Sequence, residues 1–183
     1  MRFEVKPYGA DAVLLSFGEE INLHIHNQVK QLYIGLRNYA KKGIRAAIPS
    51  YCSVTVLFEP ALISLNDVVE LSENIVTHNQ EQNENKYKVK IPVCYDKEFA
   101  LDWDVVSDFT GLNWEEVIEI HFRNKYLVYM LGFIPGFVYL GGLNEQIRVP
   151  RKLSPRLKAP KGAVGLADNQ TGIYPLETPG GWQ

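Results

Sequence analysis

The sequence predicts an α+β protein in two parts: an N-terminal ferredoxin-like α+β domain over residues 1–84 and a β-rich domain over residues 85–183. Three observations carry this. Up to residue 78 the apolar positions switch between period two and period 3.6 in the order ββαββα, which suits a small sandwich of sheet and helices. Residues 79–86, NQEQNENK, are polar throughout and read as a solvated connector. From Leu131 onward, glycine, proline, aromatic and basic residues are interleaved without either period. Such a stretch is costly to order, because glycine gives up backbone entropy and proline removes an amide donor. It therefore marks special backbone geometry and the place to look for chemistry.

Residues 2–8 and 12–17 read as short strands joined by a turn at Gly9. Between residues 22 and 42, Ile25, Val29, Leu32, Tyr33, Leu36 and Ala40 recur at helical spacing. Lys41 and Lys42 suit the negative end of the helix dipole, and Gly43 is the predicted stop. Residues 44–48 and 53–58 are two β segments around Pro49-Ser50. Val68, Val69, Leu71, Ile75 and Val76 predict a helix over residues 66–78. In residues 87–93, Lys88 and Lys90 alternate with Tyr87, Val89 and Ile91, the pattern of a half-buried strand. Two short helices follow, one over residues 102–109 ending at Gly111 and one over residues 113–122. Asn113 with Glu116 three residues on gives the second a capping-box start. Residues 125–131 form a strand, and everything after Gly132 reads as short extended pieces of an irregular β-barrel or sheet.

Composition excludes several classes. The chain is 46% hydrophobic and 22% charged, as a soluble globular protein is. Its net charge of −2 supplies no electrostatic reason to bind nucleic acid. The opening MRFEVKPYG lacks the apolar core of a signal peptide, and no apolar run approaches the roughly 20 residues that cross a bilayer. Cys52 and Cys94 form no CxxC and read as thiols of a reducing cytosol. His24 and His26 stand two apart on a helix and point in different directions, so they read as partly exposed helix residues and no metal site is predicted. His78 is a helix-end residue. GxxxxGK[ST], GxSxG, HExxH, GxGxxG and the kinase signature are all missing from the sequence.

One constellation remains. Arg148, Arg151, Lys152, Arg156, Lys158 and Lys161 follow one another without an acidic residue between them. Arg151 and Arg156 each follow a proline, which stiffens the backbone and lowers the entropy lost in fixing a side chain. Guanidinium forks bind carboxylates and phosphates bidentately, so the pair suits a small anionic ligand; a solvated basic loop is the alternative. His121 is either a general acid or base or a helix-end residue. Gln170, Thr171 and Tyr174, in QTGIYP, either orient a polar ligand or stabilise a turn. Phe133, Phe137 and Tyr139 around Pro135 form either an apolar pocket wall or core.

LGFIPGFVYLGGL, the two PR dipeptides, KGAVGLADNQTGIYP and TPGGW, in this order, resemble the 5-oxoprolinase B-subunit family, also described as the sporulation-kinase inhibitor or allophanate hydrolase subunit 1 family. YGADAVLLSFG and IPSYCSVTVLFEP extend the resemblance to nearly the whole chain. The resemblance implies that the second domain is a cyclophilin-like β-barrel. It also implies a cytoplasmic bacterial protein that works with subunits A and C and ATP to open 5-oxo-L-proline to L-glutamate. Arg151 and Arg156 match the family's PR positions and are expected to clamp a substrate carboxylate or a phosphoryl group; His121 falls where the family carries a histidine. Some relatives are described as inhibitors of a histidine kinase, which makes such a kinase the alternative partner. Two departures stand out against a common family form, VPAGSVGIAG: Lys161 replaces a small residue, and Asp168 replaces a glycine at a position expected to require φ > 0, which Asp tolerates. The family runs on past Pro179-Gly180-Gly181-Trp182, so an incomplete barrel without activity of its own is expected.

Overall fold

In the computed structural model, which describes residues 3–39, 43–78 and 87–183, the chain divides into two units, Met1–Tyr87 and Lys88–Gln183. The predicted connector and the boundary at 84/85 lie outside the described residues.

The first unit runs β1 (Glu4–Pro7), β2 (Ala12–Ser16), α1 (Leu23–Arg37), β3 (Ile44–Pro49), β4 (Ser53–Phe58) and α2 (Leu65–His78). Its strands form one antiparallel sheet in the order β1-β2-β4-β3. The period-two pattern sets the register. Val13 stands opposite Val56 and Leu15 opposite Val54, so all four branched side chains share the buried face. Full burial of each contributes about 1.5–3 kcal/mol. Ile25, Val29, Leu32 and Leu36 of α1 and Val68 and Val76 of α2 close the same core.

Two helix ends differ from expectation. α1 stops at Arg37, and Asn38 caps it through its backbone N–H to the Ile34 carbonyl. Gly43 is therefore not the helix stop; at φ +119 it passes close against Ile63, where a Cβ would lie 2.7 Å from a methyl. α2 begins one residue earlier than predicted, because Ser64 and Asp67 exchange hydrogen bonds across the first turn. His26 is buried rather than partly exposed, since it faces the core beside Ile25 and Val29.

The strand predicted over residues 87–93, at the junction of the two units, does not form. Residues 87–93 form no strand ladder, and Tyr87, Val89 and Ile91 are 89%, 80% and 54% exposed. Alternation says which face a side chain takes, but it does not supply the neighbour that satisfies the backbone. α3 (Trp103–Thr110) ends on Gly111 at φ 69, and α4 (Trp114–Arg123) carries the predicted capping box, with Glu116 N–H donating to Asn113 Oδ1 at 3.0 Å and Asn113 N–H to Glu116 Oε2 at 2.8 Å. β5 (Leu127–Leu131), β6 (Val138–Gly141), β8 (Val164–Ala167) and β9 (Gln170–Ile173) make an antiparallel sheet in the order β5-β6-β9-β8, while β7 (Arg156–Ala159) pairs with β10 (Thr178–Gly180). Gln183 exchanges backbone hydrogen bonds with Leu166, laying the last residues alongside β8. Asp168 turns the β8–β9 hairpin at φ 52, the positive φ expected of it.

The glycines of this half have a packing reason. A Cβ on Gly172 would meet Phe137 at 2.8 Å and Trp182 at 2.9 Å, and one on Gly180 would meet the Tyr174 hydroxyl at 2.6 Å. Phe137, Tyr174 and Trp182 are buried edge to face with centroids 5.2–5.6 Å apart. Large rings can enter this sheet only where the strand beside them has no side chain.

Candidate functional site

Within the second unit a cavity of about 430 Å³ opens beside α3, α4 and the β8–β9 sheet. Its walls are mostly apolar. Trp103 and Trp114 meet edge to face at 4.7 Å, and the Trp114 indole N–H donates to the Tyr95 carbonyl at 3.0 Å, tying residues 91–96 to α4. Tyr174 and Trp182 close the side nearest β10.

One corner is charged. Asp102, the residue before α3, accepts from Lys152 Nζ at 2.6 Å and from the Arg156 guanidinium through its other oxygen. Their side chains are only 12%, 21% and 22% exposed respectively, so this triad is largely withdrawn from water. Charges in such surroundings interact far more strongly than at the surface. Arg156 is held there from behind by β7, where it stands opposite Gly180.

The second polar feature is a directed chain of hydrogen bonds. Thr171 donates its hydroxyl proton to the Gly165 carbonyl at 2.9 Å. The 3.3 Å contact between that hydroxyl and His121 Nε2 therefore places the donor proton on Nε2. His121 Nδ1 is left to accept from the Tyr95 hydroxyl, 2.6 Å away. Burial lowers the pKa of His121 and raises that of Tyr95; Tyr126, whose hydroxyl donates to the His121 carbonyl at 2.9 Å, is pushed up to about 12 by burial. All three groups are accordingly neutral near pH 7.

The structure brings some predicted site residues together and leaves others apart. His121, Arg156 and Tyr174 line the cavity, and so does Lys161, one of the two departures from the family form. Burial raises the pKa of the Tyr174 hydroxyl, with the Trp182 backbone opposing it. Thr171 and Gln170 are buried in β9, with Thr171 behind the cavity holding His121. Arg151 is 59% exposed and sits 3.8 Å from Asp168. Phe137 is core, packed on Tyr139 at 4.9 Å, while Phe133 is exposed at φ 68 with Pro135 following it in the same turn. Three residues escaped the sequence reading: Asp102, taken only as a helix start, Lys152, lost among other basic residues, and Tyr95. Fifty or more positions separate Asp102 from its partners, and nothing local signals the pairing.

An α+β chain with this pair of units matches the family model described as "Carboxyltransferase domain, subdomain C and D" over residues 3–183. The protein named as the B-subunit of 5-oxoprolinase from Bacillus subtilis (strain 168) is 39% identical, the match covering 100% of this chain and 81% of the relative. Its namesake from Escherichia coli O157:H7 is 36% identical, covering 96% of this chain and 79% of the relative. The crystal structure of TTHA0988 superposes with a TM-score of 0.80 at 33% identity over 94% of this chain; the chain spans 33% of that larger one. The chain belongs to the carboxyltransferase subdomain C and D family and, with these relatives, to the 5-oxoprolinase B-subunit family.

Proposed function

We propose that the chain is one subunit of an ATP-dependent 5-oxoprolinase of the bacterial cytoplasm, opening 5-oxo-L-proline to L-glutamate together with subunits A and C. The observation that carries this reading is 39% identity, over the whole chain, to a protein named as the B-subunit of 5-oxoprolinase. The first unit is read as a ferredoxin-like domain: ββαββα with strand order β1-β2-β4-β3 is the βαββαβ plan with its last strand moved to the front. The second is read as the cyclophilin-like β domain, supported by its antiparallel sheet and separate ladder.

A lactam is a poor electrophile; phosphorylating its oxygen opens the ring carbon to water, whose addition lets the ring C–N bond break to an acyl phosphate, and a second water releases phosphate to leave L-glutamate, with cationic groups stabilising the developing charge. ATP supplies that phosphoryl group. Arg156, the withdrawn cation of the cavity's lining, already pairs with Asp102, a carboxylate it shares with Lys152, which does not suit a triphosphate; in this reading the companion subunits bind the nucleotide. In this reading Arg156, which lines the cavity, holds the substrate carboxylate, whereas Arg151, outside that lining and beside Asp168, does not contact it. Tyr174 forms the apolar wall, backed by Phe137, Tyr139, Phe133 and Pro135. His121 accepts a proton through the Tyr95 hydroxyl, with Thr171 fixing its position from β9.

Purified subunits A and C mixed with this chain, ATP and 5-oxo-L-proline are expected to form L-glutamate, measured by chromatography. No glutamate from the complete mixture refutes the reading. Arg156→Ala is expected to raise KM at least about tenfold, the cost of losing a charge-assisted hydrogen bond. An unchanged KM removes Arg156 from the site.

A further inference from the structure

The charged corner has an odd number of members. Lys152 and Arg156 bring two positive charges to one carboxylate, Asp102, and all three side chains are at least about three-quarters withdrawn from water. The triad therefore carries one positive charge beyond its carboxylate; Asp102 and Arg156 line the mostly apolar cavity, Lys152 stands behind them outside its lining, and the surplus charge costs free energy until an anion neutralises it. Lys161, Asp96 and Glu98 also line the cavity, but they are exposed, so water and salt screen them. Asp102 is itself fixed: it begins α3, whose Trp103 packs on Trp114.

We infer that Asp102 sets the charge of the ligand: by neutralising one of two cations it makes the cavity accept a carboxylate monoanion in preference to a phosphoryl dianion. Asp102 thus acts as a specificity-determining residue and Lys152 as the source of the unmatched charge. Arg156 is pre-positioned, since a guanidinium already held by one carboxylate loses less freedom on meeting a second. The inference rests on the proposed reading in that it takes this cavity as the ligand site, and it goes further in excluding the phosphoryl group as what the arginine corner clamps.

Calorimetric titration of the full chain with three probes tests it: 5-oxo-L-proline, its uncharged carboxamide, and methyl phosphate at pH 8, where the phosphate ester, whose second pKa is about 6, is a dianion. The native chain is expected to bind 5-oxo-L-proline at least about tenfold more tightly than either other probe. Asp102→Asn should move the ratio of phosphate to carboxylate affinity at least about tenfold toward phosphate. Lys152→Met keeps the apolar stem and removes the surplus charge, so it should abolish the preference for acid over amide. If Asp102→Asn does not fold, the Lys152→Met comparison decides alone. Equal binding of acid and amide by the native chain, no binding of any probe, or ratios within about twofold of native in the folded variants overturns the inference. Glutamate formation is scored separately. A charge-blind cavity in an active complex sinks only this inference, whereas charge discrimination in a complex that makes no glutamate sinks only the proposed reaction.

Discussion

Replacing Thr171 by Val is the most demanding test of the buried polar chain. Valine has nearly the shape of threonine, so packing around this 1%-exposed position is preserved. Two hydrogen bonds disappear: Thr171 to the Gly165 carbonyl at 2.9 Å and His121 Nε2 to Thr171 at 3.3 Å. Each leaves a buried group unsatisfied at about 1–3 kcal/mol, with the longer bond at the lower end, so a loss of about 3 kcal/mol is expected. For a domain of this size, about 1 kcal/mol moves Tm by about 4–8 °C, which makes the expected drop about 12–24 °C. Thr171→Ser is the control. It keeps the hydroxyl and loses only a methyl group, worth about 1 kcal/mol. Thermal and urea unfolding followed by circular dichroism at pH 7.5 measures both variants. The reasoning fails if Val is as stable as the parent within about 0.5 kcal/mol, or if Ser proves the less stable of the two.

Two further outcomes follow from the same physics. Burial lowers the pKa of both His26 and His121, so the folded chain favours their neutral forms. That stability is fully present above the unfolded histidine pKa of about 6.5 and is lost as pH falls through the lower folded values. The urea midpoint should therefore decrease from pH 7 to pH 5, before most carboxylates titrate, and a midpoint that stays level or rises contradicts the assignment. Gly172→Ala should destabilise by about 1–3 kcal/mol, because its Cβ would sit 2.8 Å from Phe137, 2.9 Å from Trp182 and 3.1 Å from the Val138 carbonyl oxygen. A thermal midpoint equal to the parent's would show that the aromatic cluster has room to move.

Much of the fold was legible in local pattern. The alternation in β2 and β4, the apolar stripes of α1 and α2, the Asn113–Glu116 box and the Gly111 stop each depend on neighbours a few residues away. The strand expected over residues 87–93 failed for the opposite reason: a ladder needs a partner, and a partner is not a local property. The candidate site was legible only by residue type. Arg156, His121 and Tyr174 were singled out and do line one cavity, whereas Thr171 proved to be a buried support for His121. The glycines that marked the last third as costly owe much of their presence to Phe137, Tyr174 and Trp182 packing into the sheet, a reason no spacing rule conveys.

By itself, then, the order of residues determined the α+β class and the motifs that place the chain in its family, because periodicity, capping and glycine–proline geometry act over a few residues of chain. Only the tertiary structure decided the state of the charges. Arg156 reads from sequence as a cation awaiting an anion; folding brings Asp102, fifty-four positions away, onto its guanidinium and draws Lys152 into the same withdrawn corner. Coulomb energy depends on distance in space and on the surrounding dielectric, and neither is written in the spacing of residues along the chain.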